Sequence, residues 1–463
     1  MSINQLFQIS RRSFQTLDAA MNVVGQNVSN AQTEGYHRRR VTLEATDFVG
    51  RGIYSRSIGP GATGYGASIG SYDRVRDQLL SKATWEAKSG LGYAEEKNRI
   101  MSSVEGLFPT GTGSLDSQLN DFWNAWSDLA DNPLGTAERL NVRNQAETFA
   151  DTLNRLDADL TFLQSQTEAD LSDGVDAVND LLTRIAELNR TIAQADNQGT
   201  PDFAAQDARD QLVKDLSEFA PVRVSESGND GYLITINGMA VVQGDVTTPL
   251  ALDLSGSAPV LSFGDSGVTL NTGGTDDGKF GAWMSALTDD LPDARAALDE
   301  MASTLVTEVN ALHSGGYGLD GSTGIDFFDP SGVTAGTIGV SDDVLADANV
   351  IAASGDAAAE GDNAVALALA DLRNAPLFNG GTDTAEDFAI NLAADIGAQV
   401  ATTATMAESQ TGVVDYLDAI ESGVSGVSID EEMTRMIELQ QSFAATARVL
   451  DTAQRMMDTL LAL

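Results

Sequence analysis

Cysteine is absent from the 463 residues, which excludes disulfides, thiolate nucleophiles and thiolate metal ligands together. Histidine is nearly absent too. His37 and His313 are the two present, and neither flanks a serine nucleophile or has an orienting partner in a local motif, so acid–base catalysis has little to work with. Each is expected to be an exposed loop residue or a satisfied polar contact. Basic side chains number 27 against 68 acidic ones, a formal charge of −41, so nothing would neutralise phosphates and no nucleic-acid partner is expected. Apolar runs near 18 residues are missing, which argues against a transmembrane helix or a membrane partner. Arg11 and Arg12 interrupt the opening stretch, so a cleaved secretory signal is not expected either. Aromatic content is low at 6%.

What the chain does have is helical text, 44 glycines and ordinary hydrophobic content of 42%, enough for several structural units. The acid is unevenly placed: the first 100 residues carry 13 basic and 9 acidic side chains, leaving 14 against 59 for the rest. It reads as a solvated coat beyond the N-terminal region rather than as a binding site.

Both ends of the chain repeat apolar residues in steps of three and four. At the N-terminus the series is Ile3, Phe7, Phe14, Leu17, Met21, Val24 and Val28, broken only at Ser10. At the C-terminus Ser428 and Glu431 are spaced as a capping box, and the series continues through Met433, Met436, Gln440, Phe443, Ala447, Leu450, Met457 and Leu461. Two such heptad helices seek a partner, in each other or in neighbouring copies. The first stops in the polar run Asn27 to Tyr36, NVSNAQTEGY.

Between the ends the spacing predicts helices near 73–107, 115–131 and 136–197, the last either one long rod or split at Gly174. A helix near 203–219 precedes a small β-domain with alternating Tyr232, Ile234 and Ile236 and an Asn237-Gly238 hairpin turn. Helical text returns at 279–313 and 384–421. The fold class is therefore mainly α with small β inserts, elongated and multi-domain. The expected units are 1–40 with 427–463 as paired terminal helices; 41–220 with 279–313 and 384–426 as a long helical bundle with short strands near 41–72; 221–278 as the β-domain; and 314–383 as a Gly/Asp/Ala-rich insertion.

Searching for chemistry yields little. GPGATG at 59–64 has dinucleotide-fingerprint spacing, but strand-like text follows where a helix is required. The Asp/Gly stretches GLDGSTGIDFFD and TDDGK lack EF-hand spacing and read as turns. No catalytic residue, metal site or cofactor is expected.

NVSNAQTEGY resembles the N-terminal signature of bacterial flagellar axial proteins, with Gln32 and Glu34 as mild departures, and the C-terminal stretch from Ser428, including Gln440-Gln441, is similar to the matching end of those proteins. Hook and rod members place mostly β-domains between these ends. Here the helical middle, in DNPLGTAERLNVRNQAETFADTLN, AAQDARDQLVKDLSEFAPVRV, VNALHSGGYGLDGSTGIDFF and GDNAVALAL, is similar to the hook-associated, junction branch of the family. The stretch after Phe328 matches poorly. The resemblance implies a structural, non-enzymatic part of the flagellum, exported by the flagellar type III route without a cleaved signal. It implies a homo-oligomeric ring of about eleven subunits at the hook–filament junction. Its implied partners are the hook protein, a second junction protein and an export chaperone on the C-terminal helix. On this reading the terminal helices form an inner assembly seam lining a central channel, disordered in the free monomer because only neighbours satisfy their stripes. Asn27, Asn30, Thr33, Gly35 and Tyr36 form the turn that ends the inner helix, Asn30 or Thr33 capping it and Arg38 to Arg40 pairing with acidic neighbours. Another axial component, a hook or distal rod protein, is the nearer alternative; a secreted coiled-coil adhesin or surface-layer module is the remoter one.

Overall fold

The computed structural model describes residues 3–46, 66–226, 231–256, 258–270, 272, 274 and 277–461. The GPGATG stretch at 59–64 lies outside the described residues, as does the side chain of Ile3.

Helix α1 (Ile3–Ser29) runs against α11 (Ile429–Leu461), so the two ends of the chain are one unit. Strands β1 (Arg39–Ala45) and β2 (Ala67–Arg74) form an antiparallel pair, irregular between Thr42 and Leu43, that lies against α1. The bundle follows as α2 (Gln78–Leu107), α3 (Leu115–Asp131), α4 (Thr136–Asn197) and α5 (Phe203–Phe219). Helix α2 starts later than the expected 73, because Asp73 and Arg74 pair with Arg40 and Arg39 in the strand ladder. Asp77 then caps the helix, accepting from the N–H groups of Leu79 and Leu80.

Helix α4 is continuous over 62 residues, roughly 93 Å at 1.5 Å per residue. Gly174 sits inside it without breaking it. A Cβ at that position would lie 2.5 Å from the Trp283 ring, so the glycine lets α6 (Gly278–Ser285) approach the α4 backbone. Helices α6 and α7 (Leu291–His313) are joined by a π-helical stretch, Ala286–Asp290, ahead of Pro292. Pro292, in the first turn of α7, has no N–H to supply there.

The β-unit holds a four-stranded antiparallel sheet in the order β3 (Val222–Glu226), β4 (Tyr232–Ile236), β5 (Met239–Gln243), β6 (Val246–Thr247), and a separate pair, β7 (Leu250–Asp253) with β8 (Val260–Phe263). Asn237 and Gly238 turn β4 into β5 with φ of 47° and 83°, the left-handed geometry of a two-residue hairpin. Tyr232, Ile234 and Ile236 point inward, and Asn179 of α4 satisfies both backbone groups of Leu250.

The segment 314–383 includes short α8 (Asp342–Ala346) and α9 (Ala364–Asp371) and is part of the main core. Its Phe327 and Phe328 are fully buried against Phe122 and Trp126 of α3. Asn310 holds this segment by accepting from the N–H groups of both phenylalanines, each at 2.9 Å. Helix α10 (Ala385–Ser425), opened by a Thr384/Asp387 capping box, returns along α2 and leads to α11.

Candidate functional site

Helices α1 and α11 run antiparallel. Phe14 packs edge-on against Phe443 with ring centroids 4.7 Å apart, and Asn27, farther along α1, meets Glu432 at the start of α11 at 3.0 Å. Of the α1 stripe, Val24 is buried, while Phe7, Phe14, Leu17, Met21 and Val28 are half-buried. On α11 the residues turned inward are Glu432, Met436, Leu439, Thr446, Leu450 and Ala453, with the Phe443 ring against Phe14. Met433, Gln440, Ala447, Met457 and Leu461, which sequence spacing puts in the same stripe, are exposed in the single chain, as are Ile437, Val449 and Met456. Exposed apolar residues therefore flank the inward stripe of α11, Met433 and Ile437 on one side and Val449 and Met456 on the other.

The turn after α1 is built around Asn27. Its amide oxygen accepts from the Tyr36 hydroxyl at 2.9 Å and the Arg39 N–H at 3.0 Å; its amide nitrogen donates to the Arg39 carbonyl at 2.9 Å and to Glu432. All four hydrogen-bonding capacities are used, and Asn27 is 1% exposed. Asn30 caps the helix end by donating to the Gln26 carbonyl at 2.9 Å, and the Thr33 hydroxyl donates to Asn30 at 3.4 Å. Gly35 takes φ of 73°, a left-handed conformation open to glycine at little cost. Tyr36 lies under the Arg39 guanidinium, 5.0 Å from the ring centroid. Burial, partly offset by Arg39, raises the Tyr36 hydroxyl above its usual pKa. Arg38 pairs with Glu431 at 3.0 Å, and its N–H donates to the Ser425 carbonyl at 2.8 Å.

A buried ionic cluster ties this turn to the bundle. Asp207 of α5 meets His37 at 2.9 Å, Arg74 at 2.8 Å and Arg39 at 3.7 Å. Asp210, one turn on, takes Arg74 at 2.7 Å, Arg76 at 3.3 Å and the Tyr232 hydroxyl at 2.8 Å. Burial opposes charge on Arg74, yet Asp210 and Asp207 outweigh it and hold the guanidinium above its ordinary pKa. Arg209 stacks on Tyr232 and donates to Asn189 of α4. Burial lowers its pKa. The terminal helices, the β1–β2 pair, α5, α4 and the β-unit are thus joined through one charge network.

Sequence reasoning found the turn but missed Asp207, Asp210, Arg74 and Arg76, since no spacing rule links residues so far apart in the chain. Neither histidine is an exposed loop residue: both are buried polar contacts. The His313 Nδ1–H donates to the Ile325 carbonyl at 2.8 Å, and Nε2 accepts from the Ala352 N–H at 2.9 Å. Burial pushes its pKa down to about 4.

A cleft of about 450 Å³ opens beneath the turn between α2, α5 and α10. It is lined by the Lys214–Asp418 ion pair, Glu421, Ser81 and Trp85. Among the described residues no group of three or more His, Asp or Glu side chains is placed to hold a metal ion, and no helix is long and apolar enough to cross a membrane.

Residues 101–328 match the family model described as the flagellar hook-associated protein FlgK helical domain. Residues 423–463 match the one described as the flagellar basal body rod FlgEFG protein C-terminal. Flagellar hook-associated protein 1 of Bacillus subtilis is 28% identical, the alignment covering 98% of this chain and 97% of that protein. The protein of the same name from Escherichia coli is 25% identical, with 96% of each covered. The fold is shared with the flagellar hook junction protein FlgK from Burkholderia pseudomallei, at a TM-score of 0.65 and 14% identity, covering 75% of this chain and all of that one.

Heptad ends locked together around a helical middle, with these matches along the whole chain, define a flagellar axial protein, a structural component of the flagellum. The helical middle is the part that matches the FlgK helical-domain model. Along nearly its whole length the chain is similar to the proteins named flagellar hook-associated protein 1.

Proposed function

We propose that this chain joins the hook to the filament, assembling as a ring in which the terminal helices line the inside and each subunit packs its α11 on its neighbours. The observation that carries this reading is the set of exposed apolar residues on both flanks of the α1-facing stripe of α11. Met433 is 44%, Ile437 51% and Met456 51% exposed, on a helix whose inward stripe is already occupied by α1. Exposed apolar surface of that length on an otherwise acidic chain favours burial against like helices. Asn27, Asn30, Thr33, Gly35 and Tyr36 form the turn that fixes the pair to the body. The role is structural, without catalysis. The ring follows the family's pattern of about eleven copies, with the hook protein below and a second junction protein above. Before assembly the same exposed apolar residues of α11 are the natural seat for an export chaperone.

The test is complementation of a cell lacking its own junction protein, with swimming and filament number as readouts. Restored filaments with the chain recovered at the hook tip support the reading. A chain that is exported but leaves hooks bare, with filament subunits lost to the medium, refutes it.

A further inference from the structure

Two heptad seams overlap on α11. Met436, Phe443 and Leu450 belong to both, but one is completed by Glu432, Leu439, Thr446 and Ala453, and the other by Met433, Gln440 and Ala447. The two differ by a rotation of the helix about its own axis. Their apolar content is similar, so hydrophobic burial alone chooses weakly between them. The structure adopts the first, which buries a carboxylate. Glu432 is 4% exposed and receives the Asn27 amide N–H at 3.0 Å. A buried carboxylate without a donor is costly, so this rotation is acceptable because Asn27 stands opposite.

We propose that the Asn27–Glu432 hydrogen bond sets the rotational phase of α11 on α1 and thereby decides which apolar residues face outward. With the bond made, Met433, Ile437, Val449 and Met456 are presented. Without it, Glu432 turns to water, Met433 and Gln440 turn inward, and a different stripe is offered to whatever packs on the pair. The axial position is fixed separately, because the Arg38 N–H is bonded to the Ser425 carbonyl at 2.8 Å where α10 gives way to α11. Rotation, not sliding, is the freedom left to control. Two positioning residues therefore act on assembly through the helix between them, the best-attested use of a buried polar pair in a helix seam. The consequence for neighbours rests on the assembly reading above; the phase itself does not.

The absence of cysteine makes the test direct. One heptad back from Asn27 and one forward from Glu432 places Ala20 opposite Leu439 in an antiparallel pair. Full-length chains carrying Ala20→Cys with either Leu439→Cys or Gln440→Cys are oxidised, and the intrachain disulfide is read by mobility and mass spectrometry. Purified chain and chain recovered from isolated flagella are both used. The 20–439 cross-link is expected to exceed 20–440 by about tenfold, an excess that Asn27→Ala inverts by stranding Glu432. Adding Glu432→Ala to Asn27→Ala should lift the inversion and bring the ratio to near one, because no buried carboxylate then opposes the first phase and apolar burial alone chooses weakly. Damage to the turn through the lost Tyr36 and Arg39 contacts would be equal in both variants. A ratio not inverted in Asn27→Ala, a double variant that matches either the parent or the single variant, or equal or absent cross-links in the parent chain each overturn the proposal. A chain missing from flagella speaks against the assembly reading alone, since the purified sample still reports the phase.

Discussion

Phe14 and Phe443 lie near opposite ends of the chain, yet their rings meet edge-on at 4.7 Å. Edge-to-face aromatic pairs contribute about 1 kcal/mol beyond the area they bury, and this one joins the two stripes that sequence spacing singles out. Leu17 and Leu450, both half-buried, belong to the same stripes. Replacing either by aspartate should remove the chain from isolated flagella and abolish swimming, because the charge would sit in the seam. The thermal unfolding of the middle should stay unchanged. Normal incorporation of either variant would show that the seam does not carry assembly.

Asp207 meets three basic side chains of the segment that follows α1, His37, Arg39 and Arg74. Asp207→Ala leaves His37, Arg39 and Arg74 facing a gap, and removing one partner of a buried pair costs about 3–5 kcal/mol. The turn and the β1–β2 pair should detach from α5. Limited proteolysis would then cut first within residues 36–76, while α3 and α4 stay protected. A cleavage pattern identical to the parent's would mean the ion pairs contribute little.

Gly174 allows an opposed pair of substitutions. In Gly174→Ala the helix gains about 1 kcal/mol of propensity, but the new methyl meets Trp283, and overpacking costs about 1–3 kcal/mol. Net destabilisation of up to about 2 kcal/mol is expected in urea unfolding. Gly412→Ala in α10, where nothing lies within 4 Å, should instead raise stability by up to about 1 kcal/mol. A stabilised Gly174→Ala would show that the α4–α6 contact is looser than described.

His313 makes stability depend on pH. Its folded pKa is about 4, below the 6.5 of the unfolded chain, so between those values the unfolded state binds the extra proton. Its contribution is complete above about pH 6.5, declines as pH falls, and reaches about 3 kcal/mol of loss near pH 4. With two histidines in the chain, ring proton resonances followed by NMR report this directly. The His313 signal should hold its neutral position down to pH 5, and titration near 6.5 in the folded protein would contradict the buried geometry.

How much of this could be read in the sequence depends on range. The bounds of α3, α4 and α5 and the Asn237-Gly238 turn follow from local periodicity and turn chemistry, and the structure has them close to where spacing puts them. The signature turn was legible as a helix stop, but Asn27 as its fourfold hub was not, because its partners Arg39 and Glu432 come from separate elements. The α11 stripe was ambiguous in principle: Met436, Phe443 and Leu450 fit two phases, and no apolarity rule favours the one that buries a glutamate. Phe327 and Phe328 were hidden for a different reason. Their neighbours are turn-forming glycines and aspartates, and only contact with α3 makes that segment core.

The chain leaves the helix pair and returns to it at nearly one point, with Asn27 against Glu432 and Arg38 against Ser425. In the ring proposed above, a pull passed from one neighbour to the next along the terminal helices would be carried in shear across that pair. The middle, hung from a single suspension point as a closed loop, is swung by such a load but not stretched. A rotating shaft can flex at its core while the bodies attached to it keep their shape.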